Sequence, residues 1–200
     1  MIDMRRQLKI FWRSIRREGM IFLLAFVGYL VQMCIMPYVK ILGVTPSIII
    51  SVTSIVTVSF GRLRAFWIGS FYGIILECMQ PSKTLFNLMI YPVAAILSGL
   101  MFSDKSVQQL EYERGVGKAG RNVSPLIRTP VCAMVNTAIY ETVNVAYIYL
   151  RGADLNSGHI GRALLDILAT TLLTVLLMVP VRRLFGFRIT LEEDIAPKPY

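Results

Sequence analysis

Residues 20–38 read MIFLLAFVGYLVQMCIMPY, an apolar run that contains no charged side chain. A transmembrane α-helix needs about 20 consecutive, mostly apolar residues, so this run is long enough to cross a bilayer. A basic segment precedes it, as in a signal peptide. However, the run continues too far for a signal-peptide core, and no small-x-small cleavage site follows it. We therefore interpret residues 20–38 as an uncleaved membrane span.

Further apolar runs follow, separated by polar or charged segments, and they cover residues 46–60, 63–79, 84–102, 130–150 and 163–181. The composition agrees, because 16% of the residues are charged, whereas an average soluble domain has about 25%. We therefore predict an all-α integral membrane protein. Residues 19–183 are expected to form a bundle of six transmembrane helices, and residues 184–200 a cytoplasmic tail.

The distribution of basic residues predicts how the bundle is oriented. Cytoplasmic loops of membrane proteins carry an excess of Lys and Arg. The chain has 21 such residues, and those outside the strongly basic segments are Lys40, Lys83, Arg151 and Arg162. These four fall in the loops that would face outward if the amino terminus were inside. The bias has the same sign in every segment, so we predict that both termini are cytoplasmic.

Residues 1–18 form a basic leader with apolar residues at helical spacing, namely Met4, Leu8, Phe11 and Ile15. This pattern favours an amphipathic helix on the inner leaflet, and the alternative is a disordered basic tail. The net charge of +9 comes without any DNA- or RNA-binding motif. We therefore assign the excess charge to anionic lipid head groups and predict no nucleic-acid partner.

Signals for catalysis or cofactor binding are absent from the sequence. His159 is the only histidine, and it lies in a polar segment without a paired base or nucleophile. The three cysteines lie separately inside apolar runs and have no metal-binding spacing. No phosphate-binding loop, serine elbow or zinc signature is present. We therefore predict that the protein is not an enzyme and has no cofactor or metal.

Small residues mark a packing face on the third and fourth runs. Gly69, Gly73 and Glu77 follow one another at steps of four, which places them on one face of a helix. The fourth run has a matching small face, formed by Ala94, Ala95, Ser98 and Gly99. We expect these two helices to pack together. Glu77 is either an interfacial acid that reaches head groups or Lys83, or a polar anchor that faces the bundle interior or a partner.

Polar residues are densest in the fifth run, which contains Asn136, Thr137, Tyr140, Glu141 and Asn144. A polar stripe on a lipid-embedded helix must face protein or water. The stripe therefore either lines a small-ligand cavity or hydrogen-bonds to neighbouring helices or to the span of a partner. In the sixth run, Asp166 follows Arg162 by four residues and is expected to pair with it near the outer surface.

The order of motifs between residues 45 and 101 resembles the MreD family of rod shape-determining proteins. Thr45-Pro46 opens the second run, and Arg62 and Arg64 form a short basic loop after it. A Gly-x-x-x-Gly-x-x-x-acid span follows, with Glu77 where aspartate is more usual. A polar turn over residues 80–83 then precedes an apolar span that begins at Thr84.

The resemblance implies a six-helix bundle similar to the substrate-binding S components of energy-coupling-factor transporters. It also implies a non-enzymatic scaffold of the bacterial cytoplasmic membrane. Such a scaffold binds MreC and helps couple MreB filaments to RodA and its transpeptidase partner in peptidoglycan synthesis. Its helix-packing or partner face would contain Pro46, Gly69, Gly73 and Glu77. The alternative is an S-type subunit of a vitamin or small-molecule transporter, with Asn136, Glu141 and Asn144 as ligand contacts in an outward-opening cavity.

Overall fold

A computed structural model describes residues 2–41, 43–79, 85–102, 111–113, 115–117, 124–152 and 156–184. This part of the chain is all-helical, as the apolar runs predict. Its long helices are α1 (Ile2–Cys34), α2 (Ile48–Phe60), α3 (Arg62–Met79), α4 (Phe86–Phe102), α5 (Pro125–Leu150) and α6 (Ser157–Leu184). A single 3₁₀ turn, Met36–Tyr38, follows α1 within the described residues.

Two described segments are long and apolar enough to cross a membrane, Ile15–Tyr38 and Gly158–Arg183. Shorter apolar helices cover Ile48–Phe60 and Phe86–Phe102. In each long segment only 28% of the residues in the apolar window are buried. Most of the apolar surface of α1 and α6 therefore faces outward from the bundle.

The helices begin at residues that differ from the predicted ones. The basic leader is not a separate element, because α1 runs without a break from Ile2 to Cys34. The prediction that Pro46 opens α2 is wrong: Ser47 is the cap, and its Oγ accepts a hydrogen bond of 3.3 Å from Ile50 N–H. α5 begins at Pro125, since a proline in the first helical turn loses no intrahelical hydrogen bond.

Helix α2 lies at the centre of the bundle. Residues 48–58 are all buried, and α2 contacts α1, α3, α4, α5 and α6. Three of its hydroxyl groups are paired in this apolar setting, because Thr53, Ser54 and Thr57 each donate to the carbonyl four residues earlier. The predicted span 46–60 is thus enclosed by neighbouring helices rather than by an outer apolar surface.

Tyr72 joins α3 to α1 in the interior. Its side chain is fully buried, and its hydroxyl donates a hydrogen bond of 2.9 Å to the carbonyl of Ala25. One turn further along α1, a Cβ atom on Gly28 would lie 2.9 Å from Tyr72 Oη and 3.1 Å from Val52 Cγ2. Glycine at this position therefore allows α1 to approach α2 and α3 closely.

Candidate functional site

The glycines of α3 form the contact with α4. A Cβ atom on Gly69 would lie 2.8 Å from the carbonyl oxygen of Tyr91 and 3.1 Å from Pro92 Cα. A Cβ on Gly73 would lie 2.8 Å from the carbonyl oxygen of Asn87. Real Cβ atoms essentially never approach another atom to less than 3.0 Å. The glycine face therefore packs inside the bundle, against the backbone of α4, as the four-residue spacing predicts.

The small face of α4 closes the same seam near its carboxyl end. Ala94, Ala95, Ser98 and Gly99 are all buried. A Cβ on Gly99 would lie 2.8 Å from Arg62 Cβ at the start of α3. The two helices are thus in backbone contact along most of their length, and this seam is not available to an additional helix.

Glu77 caps the amino terminus of α4. One carboxylate oxygen accepts a hydrogen bond of 2.6 Å from Leu85 N–H, and the other accepts one of 3.0 Å from Asn87 N–H. The first N–H groups of a helix have no intrahelical acceptors, and the helix dipole favours negative charge there. Glu77 therefore acts within the bundle. The other residues considered for this region, Lys83 and Thr84, lie outside the described residues.

Pro46, the fourth residue of the predicted packing or partner face, lies at the start of α2. It is buried immediately before the Ser47 cap. The Ser47 backbone N–H donates a hydrogen bond of 3.0 Å to Thr170 Oγ1, which connects this part of the chain to α6.

The polar residues of α5 divide into two groups. Asn136 and Thr137 are buried, and the Asn136 amide donates a hydrogen bond of 3.4 Å to Ser54 Oγ on α2. Thr137 donates to the carbonyl of Ala133, one turn earlier. These two residues therefore bond within the bundle. Glu141 and Asn144 instead line an open pocket, so the predicted set of three ligand contacts does not come together.

This pocket, which we call the acid pocket, lies between the carboxyl half of α5, the amino half of α6 and the α1–α2 connection. Its volume is about 290 Å³. It is lined by Gly43, Val44, Thr45, Glu141, Asn144, Val145, Ile148, His159, Arg162, Ala163 and Asp166. The lining therefore combines two carboxyl groups with an arginine, a histidine and an asparagine.

The carboxyl groups of Glu141 and Asp166 are neighbours in the acid pocket, on facing parts of α5 and α6. Thr170 Oγ1, one turn further along α6, donates a hydrogen bond of 3.2 Å to Asp166. The expected ion pair between Asp166 and Arg162 is not formed in the described part of the chain. The sequence did not lead us to predict that Asp166 and Glu141 line the same pocket. The four-residue spacing of Asp166, Thr170 and Thr174 was the available signal, because it forms a polar stripe on α6.

Hydrogen bonds continue from this carboxyl pair toward the centre of the bundle. Thr174 Oγ1 donates to Ser51 Oγ at 2.8 Å, and Ser51 donates to the carbonyl of Ser47 at 2.9 Å. Aromatic contacts fix the other side of α5, where the rings of Tyr140 and Tyr91 are 5.3 Å apart. Helix α5 is thereby held with Glu141 facing α6.

No cluster of three His, Cys, Asp or Glu side chains that suits a metal ion occurs among the residues that the structure describes. A scan against protein-family models, a search of the curated proteins and a search of the solved structures each returned no match to this chain.

Proposed function

We propose that this chain is a six-span scaffold of the bacterial cytoplasmic membrane that acts, like MreD, in cell elongation. On this proposal it binds MreC and helps couple MreB filaments to RodA and its transpeptidase partner. The observation that carries the proposal is that Gly69, Gly73 and Glu77 pack α3 against α4. This contact builds a rigid α3–α4 hairpin rather than a reactive centre, which suits a structural role.

The outer surface supports a membrane location. Leu164, Leu168, Leu172 and Leu176 recur at steps of four on α6 and are each 57–66% exposed. Phe22, Phe26 and Leu30 form a comparable exposed set on α1. Soluble monomers rarely expose contiguous apolar patches larger than a few hundred Å². Hydrocarbon chains of lipid are the natural environment for these stripes.

The arginine contacts support the orientation with both termini inside. Arg64 bonds to Glu18 of α1 at 2.7 Å, and Arg128 of α5 donates to the carbonyl of Phe102 at the end of α4. Arg182 and Arg183 occupy the last turn of α6. The basic ends of these helices thus lie at the same end of the bundle, which is the pattern that the positive-inside rule assigns to the cytoplasm.

Cysteine labelling tests this orientation. In a variant without the native cysteines, we expect Tyr38→Cys to react with a membrane-impermeant maleimide on intact cells. Val116→Cys is expected to react only after permeabilisation. Both positions are exposed, at 87% and 57%, so a difference in labelling reports sidedness. A variant that keeps the native Cys132, which is buried, and lacks the other two native cysteines is the unreactive control. Labelling of Val116→Cys from outside would contradict the proposed topology.

Co-purification tests the function itself. We expect the tagged, full-length chain to recover MreC and RodA from membranes dissolved in a mild detergent. We also expect depletion of the chain to convert rod-shaped cells to round ones. The matched control is a tagged, unrelated six-span protein expressed at the same level. Failure to recover either partner, together with unchanged cell shape on depletion, would contradict the scaffold proposal.

The S-type transporter subunit remains the second hypothesis, and the geometry supports it less. Its expected ligand set is divided, because Asn136 bonds to Ser54 in the interior while Glu141 and Asn144 line the acid pocket. The pocket volume of about 290 Å³ is at the lower limit for small-molecule sites, which range from about 300 to 1,000 Å³. A vitamin-sized ligand is therefore poorly accommodated.

A further inference from the structure

The acid pocket has two carboxyl groups at its floor. Glu141 and Asp166 each lie nine residues from the near end of their helix, at Leu150 and Ser157, which corresponds to about 14 Å along the helix axis. No ion pair in the described part of the chain reaches either carboxyl group. Both side chains are half-buried, and two adjacent carboxylates repel each other unless a proton or a cation joins them. The floor is therefore suited to receive positive charge.

The mouth of the pocket carries the opposite charge. Arg162 and His159 lie four and seven residues before Asp166 on α6 and line the same pocket, which places them on the same helix face. Arg162 is exposed and lies one turn above the carboxyl pair, a rise of about 6 Å. The pocket thus places a carboxyl pair below and a guanidinium group above, separated by about one helical turn.

We infer that the acid pocket binds a small zwitterion whose primary ammonium group contacts Glu141 and Asp166 and whose anionic group contacts Arg162. Ethanolamine phosphate has this arrangement. An ammonium group offers three N–H donors, which can bridge both carboxylates, and a guanidinium group binds phosphate through two parallel hydrogen bonds.

Two sources supply a ligand with a primary ammonium group and a phosphate. One is the head group of phosphatidylethanolamine in the adjoining leaflet, since the pocket opens at the ends of α5 and α6. The other is a free zwitterion in solution. The inference goes beyond the scaffold role and does not depend on it, because it rests on the pocket alone.

Calorimetric titration of the full-length chain in detergent with glycerophosphoethanolamine tests the inference. We expect saturable binding, and no binding of glycerophosphocholine, whose methylated ammonium has no N–H donor. We expect Glu141→Gln and Asp166→Asn to weaken binding at least tenfold. Glu111→Gln, at an exposed acid outside the pocket, is the matched control and should bind like the original chain.

Arg162→Gln provides a second variant that does not disturb the interior, because Arg162 is exposed. It should weaken the binding of glycerophosphoethanolamine and leave the binding of ethanolamine unchanged. Nanodiscs with and without phosphatidylethanolamine distinguish the two sources. If the natural ligand is the lipid head group, nanodiscs that contain phosphatidylethanolamine block binding of the soluble probe and those without it do not. If the natural ligand is a free zwitterion, the soluble probe binds equally in both kinds of nanodisc. The inference is overturned if no primary ammonium probe binds, or if Glu141→Gln and Asp166→Asn bind it as tightly as the control.

Discussion

Replacing Gly69 with alanine is expected to reduce the free energy of unfolding by about 1–3 kcal/mol, the range for overpacking in a filled interior. The added methyl group would lie 2.8 Å from the Tyr91 carbonyl oxygen and 3.0 Å from its carbon. These are backbone atoms of α4, so no side chain can rotate away. The two helices must separate, and dispersion contacts are lost along the seam. Gly73→Ala should behave similarly, because it meets the backbone of Asn87 and Leu88.

Gly19→Ala is the matched control for this prediction. Gly19 also lies inside a helix, but a Cβ atom there would have no neighbour within 4 Å. Alanine should therefore leave stability unchanged or raise it by up to about 1 kcal/mol through its higher helix propensity. Thermal unfolding in detergent, followed by tryptophan fluorescence, measures both variants. Equal melting temperatures for Gly69→Ala and Gly19→Ala would contradict the close packing of α3 and α4.

Replacing Glu77 with alanine is expected to destabilise the protein by about 2 kcal/mol, because it removes two charge-assisted hydrogen bonds at a partly exposed helix terminus. Leu85 N–H and Asn87 N–H both lose their acceptor. Glu77→Gln should lower the free energy of unfolding by about half as much, since an amide keeps only one acceptor oxygen.

Hydrogen exchange provides the local readout for this second prediction. The backbone amides of Leu85 and Asn87 should exchange faster in Glu77→Ala than in the original chain. Glu111→Ala, which changes an exposed acid, is the control and should alter stability by less than about 0.5 kcal/mol. Unchanged exchange at Leu85 and Asn87 would show that Glu77 does not cap α4.

The sequence predicts the contact between α3 and α4 well because helical periodicity is a local property. The spacing of Gly69 and Gly73 defines one face, and the small residues of α4 define the other. The same reasoning finds that Glu77 must have a partner, but it does not find which one. The partner is the terminus of α4, and its position depends on how the chain turns between the two helices.

The acid pocket was harder to predict because it depends on how two helices rotate about their axes. Glu141 and Asp166 are on separate helices, and periodicity alone does not orient one helix toward another. A pairing of Asp166 with Arg162 was the simpler local hypothesis. Pro46 shows the same limit on a smaller scale: its preference for a first helical position gives way to the Ser47 cap, whose hydrogen bond to Ile50 N–H fixes the start of α2.

The unbroken α1 also has a mechanical consequence. A proline-free helix of 33 residues is about 50 Å long, whereas the hydrocarbon core of a bilayer is about 30 Å thick. Roughly 20 Å of helix therefore extends beyond the hydrocarbon core when the helix stands upright. In the proposed orientation this projecting segment is a spacer on the cytoplasmic side. It holds whatever binds its tip at a set height above the membrane, and the contact of Glu18 with Arg64 on α3 lies near its base.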